Sequence, residues 1–371
     1  MGHQVIDRLK LPQNRCRTCP QWATRFIPSD NSVTQNHFPP RTARRARSLL
    51  ILAFIALASA CNPENQKAKQ LTASCDKGDA KACYDLGERL EAGRYILRDP
   101  GRAAQLFEKS CNGGVGNGCS NLGVITLAGR HPRNNPAVKK DKGAKPDTAA
   151  AIALFRKGCD TGGMKGCVRL GTYYRKGIKL THDDAQAAAL FRKACDAGDL
   201  SGCASLAPLY VSGEGVAQDF SAARDLAQRS CDAKVNLGCV ELGKLYAGGA
   251  GITKNDSIAV TLFKKSCIDP KAKEDEPFIR YSADRELEGC FQYAKALELG
   301  TGIRQNYDRA LDIYRETCED KHAEACFRGG ELYDKGAGSY RSPKRAAEML
   351  KESCDLGYAP ACNRPKPVPV T

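Results

Sequence analysis

Aromatic side chains are scarce in this chain. They make up 7% of its 371 residues, with a single tryptophan, which argues against one large core built around aromatic rings. Long apolar stretches are also lacking, and the mean hydropathy of −0.45 rules out a polytopic membrane protein. Only five histidines are present, and no pair stands at the spacing of zinc ligands. We therefore expect no metal and no other cofactor.

The net charge of +15 is less informative than its size suggests. Residues 1–60 hold nine basic and two acidic residues, and the rest of the chain holds 48 basic and 40 acidic residues, a net charge of +8. A mildly basic, solvated surface is weak evidence for nucleic acid, so we expect no nucleic-acid partner.

The first sixty residues have the pattern of a targeting segment. Basic residues precede the apolar run LLILAFIALASA, whose twelve residues, Leu49 to Ala60, are too few to span a bilayer. The end of this run together with the next residue, Leu57-Ala58-Ser59-Ala60-Cys61, resembles the lipobox of bacterial lipoproteins. The resemblance implies that Cys61 is lipidated and becomes the mature N-terminus. Asn62, which is not Asp, favours the outer membrane if the source is Gram-negative.

The polar leader of residues 1–40 is long for a signal peptide. Either the true start lies further downstream, or the leader is removed with the signal. We interpret Cys16 and Cys19, a Cys-x-x-Cys pair within it, as a chance match, because no second ligand pair follows at zinc spacing. Residues 1–60 are assigned to leader and signal peptide, and residues 61–70 to a lipidated tether.

Sixteen further cysteines form a repeat. They fall into eight pairs, seven of them eight residues apart, and the first members recur at steps of 36, 48, 36, 36, 36, 51 and 36 residues. The two long steps contain insertions, one around Arg130–Pro146 and one inside the sixth pair. A fixed period with isolated insertions is typical of a solenoid. The pairs are Cys75/Cys83, Cys111/Cys119, Cys159/Cys167, Cys195/Cys203, Cys231/Cys239, Cys267/Cys290, Cys318/Cys326 and Cys354/Cys362.

The residues around each pair have helical spacing. After the second cysteine, the third residue is usually Leu, the fourth Gly or Ala, the seventh often Tyr and the tenth Gly. These positions share one helical face, and the glycine can end the helix in the left-handed conformation. We predict helix A from each second cysteine to that glycine, then a short loop that often carries Gly and Asp, such as Gly215 and Asp219, and then helix B running to the next first cysteine. Each cysteine pair then closes the turn between helices B and A, where a disulfide can form.

The segment Gly166-Cys167-Val168-Arg169-Leu170-Gly171-Thr172-Tyr173-Tyr174-Arg175-Lys176-Gly177 resembles the Sel-like repeat family, relatives of the tetratricopeptide repeats. The paired cysteines resemble its disulfide-rich branch, the Helicobacter cysteine-rich proteins, which are often labelled β-lactamases. The resemblance covers about residues 71–363. It implies an all-α, right-handed α/α solenoid of about seven to eight 36-residue disulfide-linked helix pairs, followed by a Pro-rich tail at 364–371.

By analogy with tetratricopeptide repeats, the resemblance also implies a concave face lined by helix A. Such a face suits a protein or a peptide of the cell wall, and the oligomeric state stays open. For Tyr84, Phe291 and Phe327, burial as ordinary packing residues is an equal alternative to a binding role. The candidate binding residues are Tyr84, Glu88, Arg175, Lys244, Phe291, Lys295, Phe327 and Glu331.

The family label implies an alternative, a weak penicillin-binding protein or β-lactam hydrolase. Ser74-Cys75-Asp76-Lys77 matches the S-x-x-K motif of such enzymes, but S-D-N and K-T-G are absent after residue 60. We interpret the match as chance and name no catalytic residue. The sequence therefore favours an exported, lipid-anchored binding scaffold, on the periplasmic side of the outer membrane, over an enzyme.

Overall fold

The structure is a computed structural model that describes residues 63–93, 97–129, 146–268, 285–338 and 341–363. Within these ranges the chain forms sixteen α-helices and no β-strand, which confirms the predicted all-α solenoid class. It divides into two compact units, Met1–Gly113 and Gly114–Thr371. Cys16, Cys19, Cys61, nearly all of both insertions and the tail at 364–371 lie outside the described residues.

The described part of the first unit, from residue 63 onward, contains three helices, α1 (Pro63–Asp76), α2 (Ala80–Ala92) and α3 (Pro100–Asn112). Helix α1 begins within the segment that the sequence assigned to the tether. Helix α2 begins after Asp79, whose carboxylate accepts hydrogen bonds from the first-turn amides of Lys81 and Ala82. The ring of Phe107 on α3 is fully buried against α2, so this short unit still has an apolar centre.

Among its described residues the second unit contains thirteen helices, and each packs against the next along the chain. They alternate between the helix A and helix B patterns, and the last helix A is cut short at four residues. The A helices are α4 (Gly116–Leu127), α6 (Met164–Lys176), α8 (Leu200–Ser212), α10 (Asn236–Gly248), α12 (Leu287–Leu299), α14 (Ala323–Lys335) and α16 (Ala359–Cys362). The B helices are α5 (Thr148–Asp160), α7 (Asp184–Asp196), α9 (Phe220–Asp232), α11 (Asp256–Cys267), α13 (Tyr307–Glu319) and α15 (Pro343–Asp355).

Each helix A begins three residues before its second cysteine, whereas the sequence predicted a start at the cysteine itself. The prediction was wrong because it ignored the residues that can cap the first turn. Asp199 accepts a hydrogen bond from the Ser201 amide, and the His322 ring nitrogen accepts one from the Ala325 amide. These bonds satisfy backbone donors at the helix start, so the helix extends ahead of the cysteine. The predicted ends are confirmed: all seven tenth-position glycines have φ between 61° and 76°.

A phenylalanine of helix B packs directly on the mid-helix glycine of helix A in several repeats. In the second unit, Phe191 is 1% exposed, and a Cβ added to Gly171 would lie 2.7 Å from its Cε1 atom. In α8 and α9 both residues are replaced, by Ala207 and Ala227, whereas in α14 the equivalent Gly330 packs on Leu350 of α15. The small residue of helix A is therefore fitted to its partner on helix B.

Seven disulfide bonds join cysteines as the sequence paired them. Cys111 and Cys119 are both disulfide-bonded. The seven bridges have Cα–Cα separations between 4.4 and 4.8 Å, and they are Cys75–Cys83, Cys159–Cys167, Cys195–Cys203, Cys231–Cys239, Cys267–Cys290, Cys318–Cys326 and Cys354–Cys362. Disulfides in this number persist in oxidising compartments, which indicates an extracytoplasmic protein.

The position of the second cysteine in each bridge differs from the prediction. The sequence placed it at the turn, as the first residue of helix A, whereas it lies inside the first turn of that helix and faces the core. The bridges are therefore part of the apolar core as well as links across the turn, and only Cys354–Cys362, at the short last helix, is open to solvent. The second cysteines without any exposed surface in the complete repeats from α6 to α14 are Cys167, Cys203, Cys239, Cys290 and Cys326.

In three repeats, a lysine two residues before the first cysteine reaches back to the preceding repeat. In the second unit, Lys193 Nζ donates to the Cys159 carbonyl oxygen at 3.2 Å, and Lys265 Nζ to that of Cys231 at 3.4 Å. In the first unit, Lys109 donates in the same way to Cys75 at 2.6 Å. The lysine thus ties neighbouring repeats together through a carbonyl that also accepts a turn amide, as Cys159 does from Gly162 at 3.3 Å.

In the turns that the structure describes, the third residue after the first cysteine has a left-handed backbone, and this residue is a lysine in two repeats. Lys234 has φ of 65°, whereas Gly198, the equivalent residue one repeat earlier, has φ of 87° and open space around it. Left-handed backbone strains a residue with a Cβ by about 1 kcal/mol. We expect Lys234→Gly to raise the free energy of unfolding by up to about 1 kcal/mol in chemical denaturation. Gly198→Ala, the matched reverse change, should lower it; equal effects of both variants would contradict the argument.

Candidate functional site

The A helices of the second unit form one continuous surface. We call the surface made by α6, α8, α10, α12 and α14 the A face. Successive A helices from α4 to α12 contact each other. Arg175 on α6 acts electrostatically on Glu241 on α10, two repeats further along, so side chains converge on this surface. The A face is therefore the inner side of the stack over these repeats.

Lys244 lies between two carboxylates from different repeats. Its Nζ is 3.2 Å from a carboxylate oxygen of Glu241 on the same helix and 3.5 Å from one of Glu288 at the start of α12. Glu241 is largely buried, with 12% of its side chain exposed, whereas 40% of the Lys244 side chain is exposed. The two carboxylates thus hold the Lys244 ammonium group in place, while part of its side chain stays open to solvent.

Glu288 extends the network to the next repeat. Its carboxylate accepts a hydrogen bond from the Gln292 amide at 2.9 Å and lies 3.4 Å from Nε2 of His322. His322 stacks on the ring of Phe291 with a centroid separation of 4.8 Å, and its other ring nitrogen caps α14. The polar network therefore joins three consecutive A helices and fixes the side chains at its centre.

The two carboxylates of this network have opposite pKa shifts. The hydrogen bond with His322, helped by the charge of Lys244, lowers the pKa of Glu288 to about 2. Burial is the largest influence on Glu241 and raises its pKa, although Lys244 acts in the other direction. Glu288 is therefore the firmly ionised member of the pair at neutral pH.

These shifts predict how stability responds to acid. A carboxyl whose folded pKa is depressed stabilises the fold above its ordinary value of 4.5, and that contribution disappears as the pH falls toward 2. We expect Glu288→Gln to flatten the loss of stability between these two pH values, measured by urea unfolding at each pH. Glu241→Gln, the matched neighbour, should not flatten it, because the raised pKa of Glu241 has the opposite linkage. If Glu288→Gln loses as much unfolding free energy between these pH values as the wild type does, Glu288 is not the group responsible.

A second polar group lies further along α12. The Tyr314 hydroxyl donates to the Glu298 carboxylate at 2.7 Å, and Arg328 Nη1 lies 3.4 Å from both carboxylate oxygens. Tyr314 is fully buried, and burial raises its pKa well above the ordinary value. Arg328 also approaches Glu324 on its own helix at 3.6 Å. Glu298 is thereby held at the A face by a buried phenol and a cation.

The structure places most of the predicted binding residues on the A face. Arg175 and Lys244 are exposed, and Lys295 and Glu331 are half-buried, with Glu331 paired to Lys335 at 3.5 Å. Phe327 is half-buried and its ring lies 5.3 Å from that of Tyr358. Of these five residues, Lys244 takes part in the central network.

The predicted binding role of two aromatic residues needs correction. Phe291 is 2% exposed and packs between His322 and Tyr314, so its ring belongs to the core. Tyr84, in the first unit, is 9% exposed, and its hydroxyl donates to Glu88. Packing, the alternative that the sequence left open, applies to both, because hydrophobic burial outweighs exposure of a ring next to the repeat stripe.

The sequence missed most of the central network for a definite reason. Glu288 and His322 precede the second cysteine, where the late predicted helix start excluded them from helix A. Three other polar residues stand two positions after a second cysteine: Glu241, Gln292 and Arg328. The analogy with tetratricopeptide repeats selected only the first, fifth and eighth residues after that cysteine, so it passed over the second. Polar residues recurring at this second position were the signal available.

The first unit has its own open groove, of about 750 Å³, between α1 and α2. Glu88, one of the predicted binding residues, lines it together with Lys67 and Glu91. An ion pair between Arg89 and Glu64 links the two helices there. The groove is a charged surface of this unit by itself.

The S-x-x-K match lies at the end of α1 and in the turn that follows. The Lys77 amide donates to the Ser74 carbonyl oxygen at 3.2 Å, and Cys75 is bound to Cys83. Across the described ranges, the side chains of Ser74 and Lys77 form no hydrogen bond with each other. In the same part of the chain, no three His, Cys, Asp or Glu residues converge on a possible metal position. No described helix combines the length and apolarity needed to cross a membrane.

Comparison with protein-family models agrees with this architecture. The family model described as Sel1 repeat matches seven segments, at residues 80–115, 140–162, 165–199, 201–235, 236–268, 287–322 and 323–358. No curated protein sequence matches the chain. The similar solved structures include a protective antigen of uropathogenic Escherichia coli strains with an SLR fold, at 25% identity and a TM-score of 0.47, covering 79% of this chain and 57% of that one.

Two further solved structures have lower identity. A Sel1 repeat protein from Oxalobacter formigenes is 18% identical with a TM-score of 0.49, covering 80% of this chain and 78% of that one. Helicobacter pylori cysteine rich protein B is 24% identical with a TM-score of 0.27, covering 40% and 97%. The chain thus spans little more than half the length of the Escherichia coli antigen.

Proposed function

The chain belongs to the Sel1 repeat family, and from this membership we propose that it is an exported, lipid-anchored scaffold that binds proteins, or peptides of the cell wall, through its A face. Sel1 repeat scaffolds typically mediate interactions between proteins. The predicted residues Arg175, Lys244, Lys295, Phe327 and Glu331 are the contact candidates that remain on this face.

The polar network from Glu241 through Lys244 and Glu288 to His322 is the observation that carries the proposal. It fixes charged groups of three repeats at the inner surface before any ligand arrives. Side chains that are already ordered lose less conformational entropy on binding than free ones, so a preorganised surface favours affinity. The exposed part of Lys244 gives a ligand direct access to this network.

Binding is tested with an identified and purified partner. The oxidised protein captures candidates from a cell-envelope extract, mass spectrometry names them, and titration calorimetry then measures the reconstituted pair. Lys244→Glu should weaken binding at least tenfold, because it places a third carboxylate between Glu241 and Glu288. Lys157→Glu, the same charge change on the exposed side of α5, serves as the matched control. Equal affinities of the two variants, or no partner that binds after purification, would refute binding through the A face.

The anchor is tested at Cys61. The short apolar run and the lipobox support lipidation of this cysteine, so we expect Cys61→Ser to move the protein from the membrane fraction to the soluble fraction. Cys16→Ser, a change in the leader, should leave it membrane-bound. Mass spectrometry of the wild-type N-terminus should find a lipid-modified peptide that begins at Cys61, and density-gradient separation should place it with the outer membrane. A membrane-bound Cys61→Ser variant with an intact N-terminus from Met1 would refute the anchor.

A further inference from the structure

Charge along the A face changes sign from one end to the other. Helix α6 carries four basic residues and no acidic one, α8 carries no charge, and α10 carries one residue of each sign. Helix α12 has two acidic residues and one basic residue, and α14 has three acidic and two basic residues. The face therefore has a basic end at α6, an uncharged centre and an acidic end at α12 and α14.

The net charge of whole repeats, including their B helices and loops, changes sign in the same direction as that of the A helices. Residues 146–213 contain nine basic and six acidic residues, a net charge of +3, whereas residues 285–338 contain eight basic and eleven acidic residues, a net charge of −3. The second value opposes the net charge of +15 of the full chain. An acidic end on a basic protein concentrates a local field of one sign at one place.

The acidic end keeps its carboxylates in defined positions. Glu298 is fixed by the Tyr314 hydroxyl and by Arg328, and Glu288 by Gln292 and Lys244. At the other end, Arg175 is exposed on α6. Between them, α8 offers Pro208 and Val211, both half-buried and apolar. The surface thus has a fixed acidic part, an apolar middle and a basic part in one row.

We propose that the A face binds an extended polypeptide segment whose acidic and basic residues are segregated to opposite ends, with the acidic end over α6 and the basic end over α12 and α14. This deepens the proposed function and rests on it. The opposite placement would bring like charges together at both ends, which disfavours it. Four steps of roughly 9 Å between neighbouring A helices correspond to about 11 residues of extended chain.

The proposal is tested with two synthetic peptides of identical composition. One has its acidic residues at one end, apolar residues in the middle and basic residues at the other end, and the second has the same charges alternating. We expect the segregated peptide to bind at least tenfold more tightly by fluorescence anisotropy, and its affinity to fall with added salt. Equal affinities, or no binding of either peptide to the folded protein, would overturn the proposal.

The orientation is tested separately by photo-crosslinking. A benzophenone at the acidic end of the segregated peptide should label α6, and one at the basic end should label α12 or α14. Arg175→Glu should weaken binding of the segregated peptide. A peptide with lysine in place of the acidic residues should regain affinity for that variant. Lys157→Glu on α5 is the control. Crosslinks at the opposite ends would overturn the assigned direction.

The outcomes separate this inference from the proposed function. If the purified partner loses affinity with Lys244→Glu while both peptides bind alike, the scaffold function stands and the charge-polarity inference fails. If neither partner nor peptide binds, both fail. Salt-sensitive self-association of the free protein, measured by sedimentation velocity, would assign the charged ends to contacts between two copies and would also overturn it.

Discussion

Replacing Gly171 by valine is expected to lower the free energy of unfolding by about 3 kcal/mol, among the largest effects of any single substitution in the second unit. The new side chain would enter the space of the Phe191 ring, since even a Cβ would lie 2.7 Å from Cε1 and 3.2 Å from the Ala187 carbonyl oxygen. Neither group can retreat, because Phe191 is buried within the helix pair and Ala187 belongs to the backbone of α7. Urea unfolding followed by circular dichroism measures the loss.

The matched control for this change is Gly248→Ala on α10. A Cβ at Gly248 meets nothing within 4 Å, so alanine should be neutral or should stabilise the helix by up to about 1 kcal/mol. A second test uses the pair found in α8 and α9. Gly171→Ala combined with Phe191→Ala recreates Ala207 and Ala227, and it should cost less than the sum of the two single changes. Additive effects would show that the glycine and the ring are not coupled.

Reduction of the disulfides is expected to lower the melting temperature on the order of tens of degrees. The chain-entropy model gives about 2.5 kcal/mol for each ring closed by cysteines eight residues apart. Seven such contributions together exceed the roughly 5–15 kcal/mol that ordinarily separates folded from unfolded domains. Each ring also closes the turn between helix B and the next helix A, so its loss loosens the contact between repeats. Thermal circular dichroism with and without a dithiol reductant measures the shift.

Two double variants show where this stabilisation resides. Cys231→Ala with Cys239→Ala removes a buried bridge in the middle of the array, and Cys354→Ala with Cys362→Ala removes the solvent-exposed one at its end. Because repeats depend on their neighbours, we expect the central loss to lower stability much more than the terminal loss. A reduced protein with an unchanged melting temperature would contradict the prediction, and so would disulfides that link different repeats in a non-reducing peptide map.

The cysteine period predicted the repeat, the helix ends and the pairing, because each follows from residues close together in the chain. The start of helix A was harder to place, since Asp199 and His322 act through caps that leave little trace in a hydrophobic pattern. The network around Lys244 could not be assembled from sequence, because Glu288 approaches this lysine from the next repeat, across the second insertion. The burial of Phe291 likewise depends on His322, more than thirty residues away.

The lysines that reach back to the preceding repeat have a consequence for how such an array can grow or shrink. Lys193 and Lys265 each donate a hydrogen bond to the backbone carbonyl of the first cysteine in the preceding repeat. Every repeat has a backbone carbonyl at this position, whatever its side chains. Duplication of one whole 36-residue period that carries this lysine therefore preserves the boundary contact without any compensating mutation. A change of length by part of a period removes them, which restricts viable length variants to complete repeats or to insertions confined to loops.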